Sequence, residues 1–201
     1  TRKGADIMIL DDGFQHLRLR PWTNILVVDS TNPFHNHEML PCGMLREPIK
    51  NLRRADYIFL TKSNHGEHLR HLHRFLKRHN SQAKIIECNH VPCYLEQVDD
   101  PEKVYPLSTL AGRKIAALSA IAVPESFESY LEALGAELVY RKHFADHHRY
   151  REQELQTFCE KAHKAGAEFL LTTEKDAVRL PVLPKDIPPF LFLRVEIKIL
   201  R

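Results

Sequence analysis

Residues 151–173 read REQELQTFCEKAHKAGAEFLLTT, and this stretch decides the fold class. Leu155, Phe158, Cys159 and Ala162 recur on one face at helical spacing, Gly166 supplies a left-handed stop, and Phe169–Leu171 follows as a continuous apolar run. The same unit recurs upstream. Pro124 suits a first helical turn, Phe127, Tyr130, Leu131 and Leu134 follow at helical spacing, and Gly135 ends the helix before the run Leu138–Tyr140. Residues 66–78 place Leu69, Leu72, Phe75 and Leu76 on one face. Further short apolar runs at Ile7–Leu10, Ile25–Val28, Tyr57–Leu60, Lys84–Ile86, Ile115–Leu118 and Phe190–Leu193 read as buried strands. Several are continuous and not alternating, as a sheet covered on both faces requires. The class is α/β. The stretch 91–110, with Pro92, Asp99, Asp100, Pro101 and Pro106, reads as a linker or excursion between residues 1–90 and 111–201.

Composition narrows the function classes. The 201 residues are 43% hydrophobic and 27% charged, close to globular averages, which excludes disordered and fibrous classes. Lys+Arg 29 against Asp+Glu 26 leaves a net charge of +3, too mild for a nucleic-acid footprint. The four cysteines form no C-x-x-C pair and read as reduced thiols. No apolar run reaches the ~18 residues of a membrane span. The seven glycines are scattered, no two closer than nine positions, so the phosphate-cradling G-x-x-x-x-G-K-[ST] loop is absent from these residues. The 13 histidines include His65, His68, His71, His73 and His79, but only His68 and His71 have direct metal-ligand spacing; a solvated helix face interleaved with arginines is the plainer reading.

Four constellations carry chemistry. The first is Asp6-Ile7-Met8-Ile9-Leu10-Asp11-Asp12-Gly13-Phe14-Gln15-His16, where an apolar run delivers two carboxylates at its carboxyl end. Ligands bind there in open α/β sheets, and hard cations such as Mg²⁺ take carboxylate oxygens. This is the Walker B logic, with a plain acidic turn as the alternative. The second, Leu40-Pro41-Cys42-Gly43-Met44-Leu45-Arg46-Glu47-Pro48, offers an arginine suited to phosphate beside a carboxylate, or a surface ion pair. The third, Phe144-Ala145-Asp146-His147-His148-Arg149-Tyr150, places an aspartate beside histidines, either as partners of a general base or with Asp146 capping the following helix. The fourth is Thr172-Thr173-Glu174-Lys175-Asp176-Ala177. Here Thr172 or Thr173 reads as a helix N-cap, and Lys175 either contacts a nucleotide or pairs with Glu174 or Asp176.

In this order the four motifs resemble tetraacyldisaccharide 4′-kinase, the lipid A kinase of Gram-negative bacteria. The segment 119–127 is similar to a family loop but departs from it at Ala120 and Val123. The resemblance implies a P-loop NTPase-like, mostly parallel sheet flanked by helices, with a second, smaller α/β half. It implies ATP-dependent phosphorylation of the 4′-hydroxyl of a tetraacyldisaccharide 1-phosphate, with ATP and Mg²⁺, at the cytoplasmic face of the inner membrane, and no nucleic acid. Asp11 and Asp12 would be the Walker B acids on the metal, with Glu47 a further metal carboxylate; Gln15, His16 and Arg46 would face phosphates or sugar. Asp146 with His147 or His148 would partner the catalytic base, and Lys175 would contact the nucleotide. The family's Walker A loop, catalytic aspartate and membrane-associating helix lie upstream of Asp11, so the chain reads as a C-terminal portion expected to be inactive alone. A phosphotransferase or ligase with a small polar acceptor, and a non-catalytic α/β module, are the alternatives.

Overall fold

The computed structural model describes residues 4–63, 67–146 and 148–200, which form two compact units. The first comprises residues 1–90 and 197–201, the second residues 91–196. In the first, strands β1 (Ile25–Asp29), β2 (Tyr57–Thr61) and the start of β3 (Lys84–Gln97) pair in parallel, with Ile25 opposite Tyr57 and Tyr57 opposite Lys84. Helix α1 (Glu67–His79) lays Leu69, Leu72 and Leu76 onto Val28, Ile58 and Leu60. A 3₁₀ segment, Ile49–Arg54, adds Leu52 to the same cluster. Among the described residues only one face of β1 is covered, because Leu26 and Val28 point inward while Ile25 and Val27 stay exposed.

The run Ile7–Leu10, expected as a buried strand, is not one. It has no strand pairing, and Ile7, Met8 and Ile9 are 81%, 77% and 89% exposed. A strand exists only through hydrogen bonds to a neighbour, and no described strand pairs with these residues, so apolar composition alone did not make one. The pair Asp11-Asp12 therefore sits in a turn that leads into a short 3₁₀ segment, Gly13–Gln15.

In the second unit β5 (Lys114–Ser119) lies between β6 (Glu137–His143) and β7 (Phe169–Thr173), and β7 pairs with β8 (Phe190–Ile199), all in parallel. Alternation splits β5 between two cores. Ala116 and Leu118 face helix α3 (Glu152–Lys164) through Leu155, Phe158, Cys159 and Ala162, while Ile115 and Ala117 face α2 (Pro124–Ala133) through Phe127 and Leu131. Both faces are covered, as the continuous apolar runs require. The 91–110 stretch is more ordered than a linker: the second half of β3 pairs antiparallel with β4 (Asp100–Tyr105), and the 3₁₀ segment Leu107–Leu110 follows. All four cysteines are free. No helix among the described residues is long and apolar enough to cross a membrane.

Gly166 closes α3 at φ 77°, and an added Cβ there would meet nothing within 4 Å. Gly166→Ala should therefore report backbone strain alone, about 1–2 kcal/mol, whereas Phe158→Ala in the packed α3 face should cost about 3–5 kcal/mol. Urea unfolding of the two variants checks the ordering.

Candidate functional site

In the first unit the structure joins the 11–16 and 40–48 motifs. Both Arg46 guanidinium nitrogens donate to Asp12, at 2.8 and 2.5 Å, and Gln15 Nε2 donates to Glu47 Oε1 at 3.0 Å. Glu47 also accepts from Arg54 Nη2 at 2.8 Å and from Asn51 Nδ2 at 2.7 Å. Arg54 is itself placed by the Phe14 carbonyl at 2.8 Å and by the Phe14 ring, 4.5 Å below its guanidinium. Of these groups Phe14, Gln15, Arg46, Glu47 and Asn51 line a pocket of about 270 Å³ together with Asp29, Asn32, Phe34 and Met44.

Local folding explains the placement. The loop before Arg46 is closed by Gly43 N to Met39 O and by Leu45 N to Glu38 O, and the Leu40–Pro41 peptide is cis. Only glycine fits at 43, since a Cβ there would lie 2.1 Å from the Glu38 carbonyl oxygen. Asp12 adopts φ 49°, a left-handed conformation that aspartate tolerates better than most residues. Its hydrogen bonds to Arg46 hold its carboxyl below the usual range. Asp11 and His16 are exposed beside it.

In the second unit three segments meet at Asp176. This fully buried carboxylate accepts from Ala120 N at 3.0 Å and from Thr173 Oγ1 at 2.8 Å, while Asp176 N donates to Thr173 Oγ1 at 3.2 Å. Thr173 is thus the N-cap of the four-residue α4 (Glu174–Ala177). Burial, and then the Asp176 carboxylate, push the Tyr150 phenol well above its ordinary value. Tyr150 packs edge-on against Phe144 and His148, and His148 stacks on Phe144 with centroids 4.5 Å apart. His148 Nε2 lies 2.9 Å from Glu154 Oε2, which also accepts from Arg151 N at 2.9 Å; these contacts, His148 first, hold the Glu154 carboxyl below its ordinary value. Arg151, not Asp146, occupies the N-cap position of α3, and Asp146 lies in the preceding turn. His147 lies outside the described residues. Lys175 pairs with neither neighbour: Glu174 accepts from Arg194 at 2.6 Å, Asp176 is committed as above, and Lys175 is exposed.

Two contributors escape a motif reading. Asp29, at the carboxyl end of β1, accepts from Lys62 Nζ at 2.6 Å and from Thr31 N and Oγ1 at 2.9 and 2.6 Å. Burial opposes its charged form, but these donors win and its carboxyl is held low. Its position after the run Ile25–Val28 was the available signal. Arg54 with Asn51 is the other, since nothing in their spacing points at Glu47.

For a divalent cation the fit is incomplete. Both oxygens of Glu47 and both of Asp12 are committed to nitrogen donors, and Asp11 alone has no partner among the described residues. No group of three or more metal-capable side chains is assembled among the described residues.

The Asp12 assignment has a direct check. Its folded pKa lies below the unfolded value, so its contribution to stability is present above about pH 4 and is lost as pH falls through the folded value. Carboxyl NMR titration should place Asp12 below the ordinary aspartate range, and Arg46→Gln should return it upward; an unmoved titration would remove Arg46 as the cause.

A model of the tetraacyldisaccharide-1-P 4′-kinase family matches residues 1–201. The tetraacyldisaccharide 4′-kinase of Syntrophus aciditrophicus (strain SB) is 39% identical over 206 residues, taking in 98% of this chain and 55% of the relative. That of Anaeromyxobacter sp. (strain K) is 42% identical over 180 residues, 88% of this chain and 47% of the relative. The chain spans about half the length of the curated relatives it matches. Among solved structures, one described as the "apo" form of LpxK from Aquifex aeolicus in complex with ATP is similar with a TM-score of 0.62 at 24% identity, covering 94% of this chain and 52% of that one. That likeness shows the fold, the mostly parallel sheet flanked by helices that the motifs imply. The family match runs the whole length of the sequence and takes in all four motifs: the chain belongs to the tetraacyldisaccharide-1-P 4′-kinase family.

Proposed function

We propose that the protein of which these residues form part transfers the γ-phosphoryl group of ATP to the 4′-hydroxyl of a tetraacyldisaccharide 1-phosphate. Its named relatives and the ATP-bound structural neighbour support the reaction class. The observation that carries the reading in this chain is the Asp12–Arg46 and Gln15–Glu47 pairing, which builds two motifs separated by some thirty residues into one pocket.

Phosphoryl transfer depends chiefly on positioning and on neutralising charge. Arg46, exposed and fixed by Asp12, presents a guanidinium at the rim for phosphate oxygens. Gln15 Oε1 is buried without a hydrogen-bond partner among the described residues. Such an acceptor costs about 1–3 kcal/mol, and a sugar hydroxyl is a donor that would recover it. His16 lies on the same exposed turn. In the second unit, Glu154 and the Phe144 and Tyr150 rings orient His148, the described candidate for partnering the base that receives the 4′-hydroxyl proton; Asp146 and His147 share that assignment. Lys175, with no carboxylate partner among the described residues, is assigned to the nucleotide. The balance is simple: the 4′-oxygen gains phosphorus and loses its proton to the base, and ADP leaves.

Mg²⁺ belongs to this proposal through Asp11, whose carboxylate is uncommitted; Asp12 and Glu47 are held by other donors, and the roles above do not depend on the metal. We place the reaction at the cytoplasmic face of the inner membrane, as the family resemblance implies; four acyl chains at about 0.8 kcal/mol per buried CH₂ would keep the acceptor in a bilayer. Nucleic acid has no part in it.

Assays of the longer kinase that contains this chain should show ATP-dependent transfer to the acylated disaccharide and little to its deacylated form. Asp11→Asn and His148→Ala should each lower kcat about a hundredfold or more. Equal use of the deacylated sugar would favour a small polar acceptor; unchanged kcat in both variants would overturn the assigned roles.

A further inference from the structure

Residues 33–37 and helix α1 enclose a groove of about 330 Å³ that none of the assigned roles uses. Its walls include Phe34, His37, His71, Arg74, Phe75 and Arg78, and no carboxylate lines it.

Three observations make this more than a basic surface. First, Arg70, Arg74 and Arg78 follow one another at i, i+4 along α1, whose sole acidic residue is Glu67. Like charges at that spacing oppose the helix, and a carboxylate at any of these positions would relieve them. Second, Arg74 and Arg78 have no ion-pair partner among the described residues; Arg74 Nη2 lies instead 3.2 Å from His71 Nδ1. Third, Phe34 is held at φ 60°, where a bulky side chain is strained, with His37 at φ 64° beside it. In that conformation the Phe34 ring lies 5.4 Å and the His37 ring 5.6 Å from Phe75, building one aromatic wall. Strain sustained at a surface loop points to a use for the geometry it holds.

We propose that this groove is an anion site for a phosphate monoester, with the phosphate on Arg74 and Arg78, His37 and His71 beside it, and the carbon skeleton against Phe34 and Phe75. Planar guanidinium forks suit phosphate oxygens, and the aromatic wall suits a sugar or glycerol body. Phe34 also lines the candidate-site pocket, but the groove holds none of the residues given a role in phosphoryl transfer and stands whether or not those roles do.

The test uses the longer kinase that contains this chain, with inorganic phosphate and glycerol 3-phosphate as soluble probes in calorimetry, and phosphatidylcholine vesicles with and without phosphatidic acid in co-sedimentation. Arg74→Ala/Arg78→Ala, both exposed, should weaken binding about tenfold or more. The charge-matched pair Arg18→Ala/Arg20→Ala, also exposed and not lining the groove, should change it less than about twofold. Groove-dependent binding of glycerol 3-phosphate identifies a free ester as the ligand, and groove-dependent binding confined to the acidic vesicles identifies a lipid headgroup; either supports the site. Equal losses in the two double variants would reduce it to general electrostatics and overturn it, as would no binding of any probe.

Discussion

A carboxylate buried as completely as that of Asp176 needs donors, and the two that reach its Oδ2 organise the carboxyl end of the second unit's sheet, while Oδ1 has no hydrogen-bond partner among the described residues. Ala120 N comes from the loop after β5, Thr173 Oγ1 from the end of β7, and the Tyr150 phenol feels the same charge from the segment before α3. Two connections that chain entropy would otherwise leave independent are tied to one carboxylate oxygen, and the Tyr150 segment lies within reach of its charge. Glu47 plays the corresponding part in the first unit. Partly buried, it gathers Gln15, Asn51 and Arg54, and through Arg54 it also fixes the Phe14 carbonyl. In each unit a carboxylate ties its own motif to one segment distant in sequence, Ala120 for Asp176 and Gln15 for Glu47.

That arrangement explains what the amino-acid order discloses and what it hides. The α3–β7 unit was legible because its signals are local: an apolar face at i, i+3, i+4 and i+7, a glycine stop, and a continuous run. The same held for α2, where Gly135 stands at φ 84° as the stop requires. Ile7–Leu10 misled because strand formation is not local. Its composition matches that of β2, but β2 has β1 and β3 on its two sides, and the earlier run has no described neighbour. Residues 91–110, where prolines at 92, 101 and 106 read as a linker or excursion, hold pairing that no local signal announces: Leu95 and Tyr105 meet across an antiparallel pair.

The site follows the same division. Motif positions such as Asp12, Arg46 and Thr173 could be picked from the order of residues, because chemistry needs those side chains at turns and strand ends. Their partners could not. The Arg46–Asp12 contact spans 34 positions, and Gln15–Glu47 spans 32. Before the fold is known, Glu47 beside Arg46 looks like a local ion pair; in the structure each reaches back to a different residue of the earlier motif.

The thirteen histidines can now be read in physical terms. Where they are described they serve mainly as hydrogen-bonding side chains and not as a metal cluster. His73 reaches the buried Glu87, His148 reaches Glu154, and His143 pairs with Glu128. His68 lies 2.8 Å from the Ser30 carbonyl and His79 3.0 Å from that of Phe75. An imidazole suits such places because it can present a donor and an acceptor on one flat ring, so a single residue type joins carboxylates, carbonyls and aromatic faces alike. On α1 this consumes His68, His73 and His79 in local contacts, and leaves His71 to the groove beside Arg74. The arginine stripe is then the part of that helix left to the anion site, with His71 beside it.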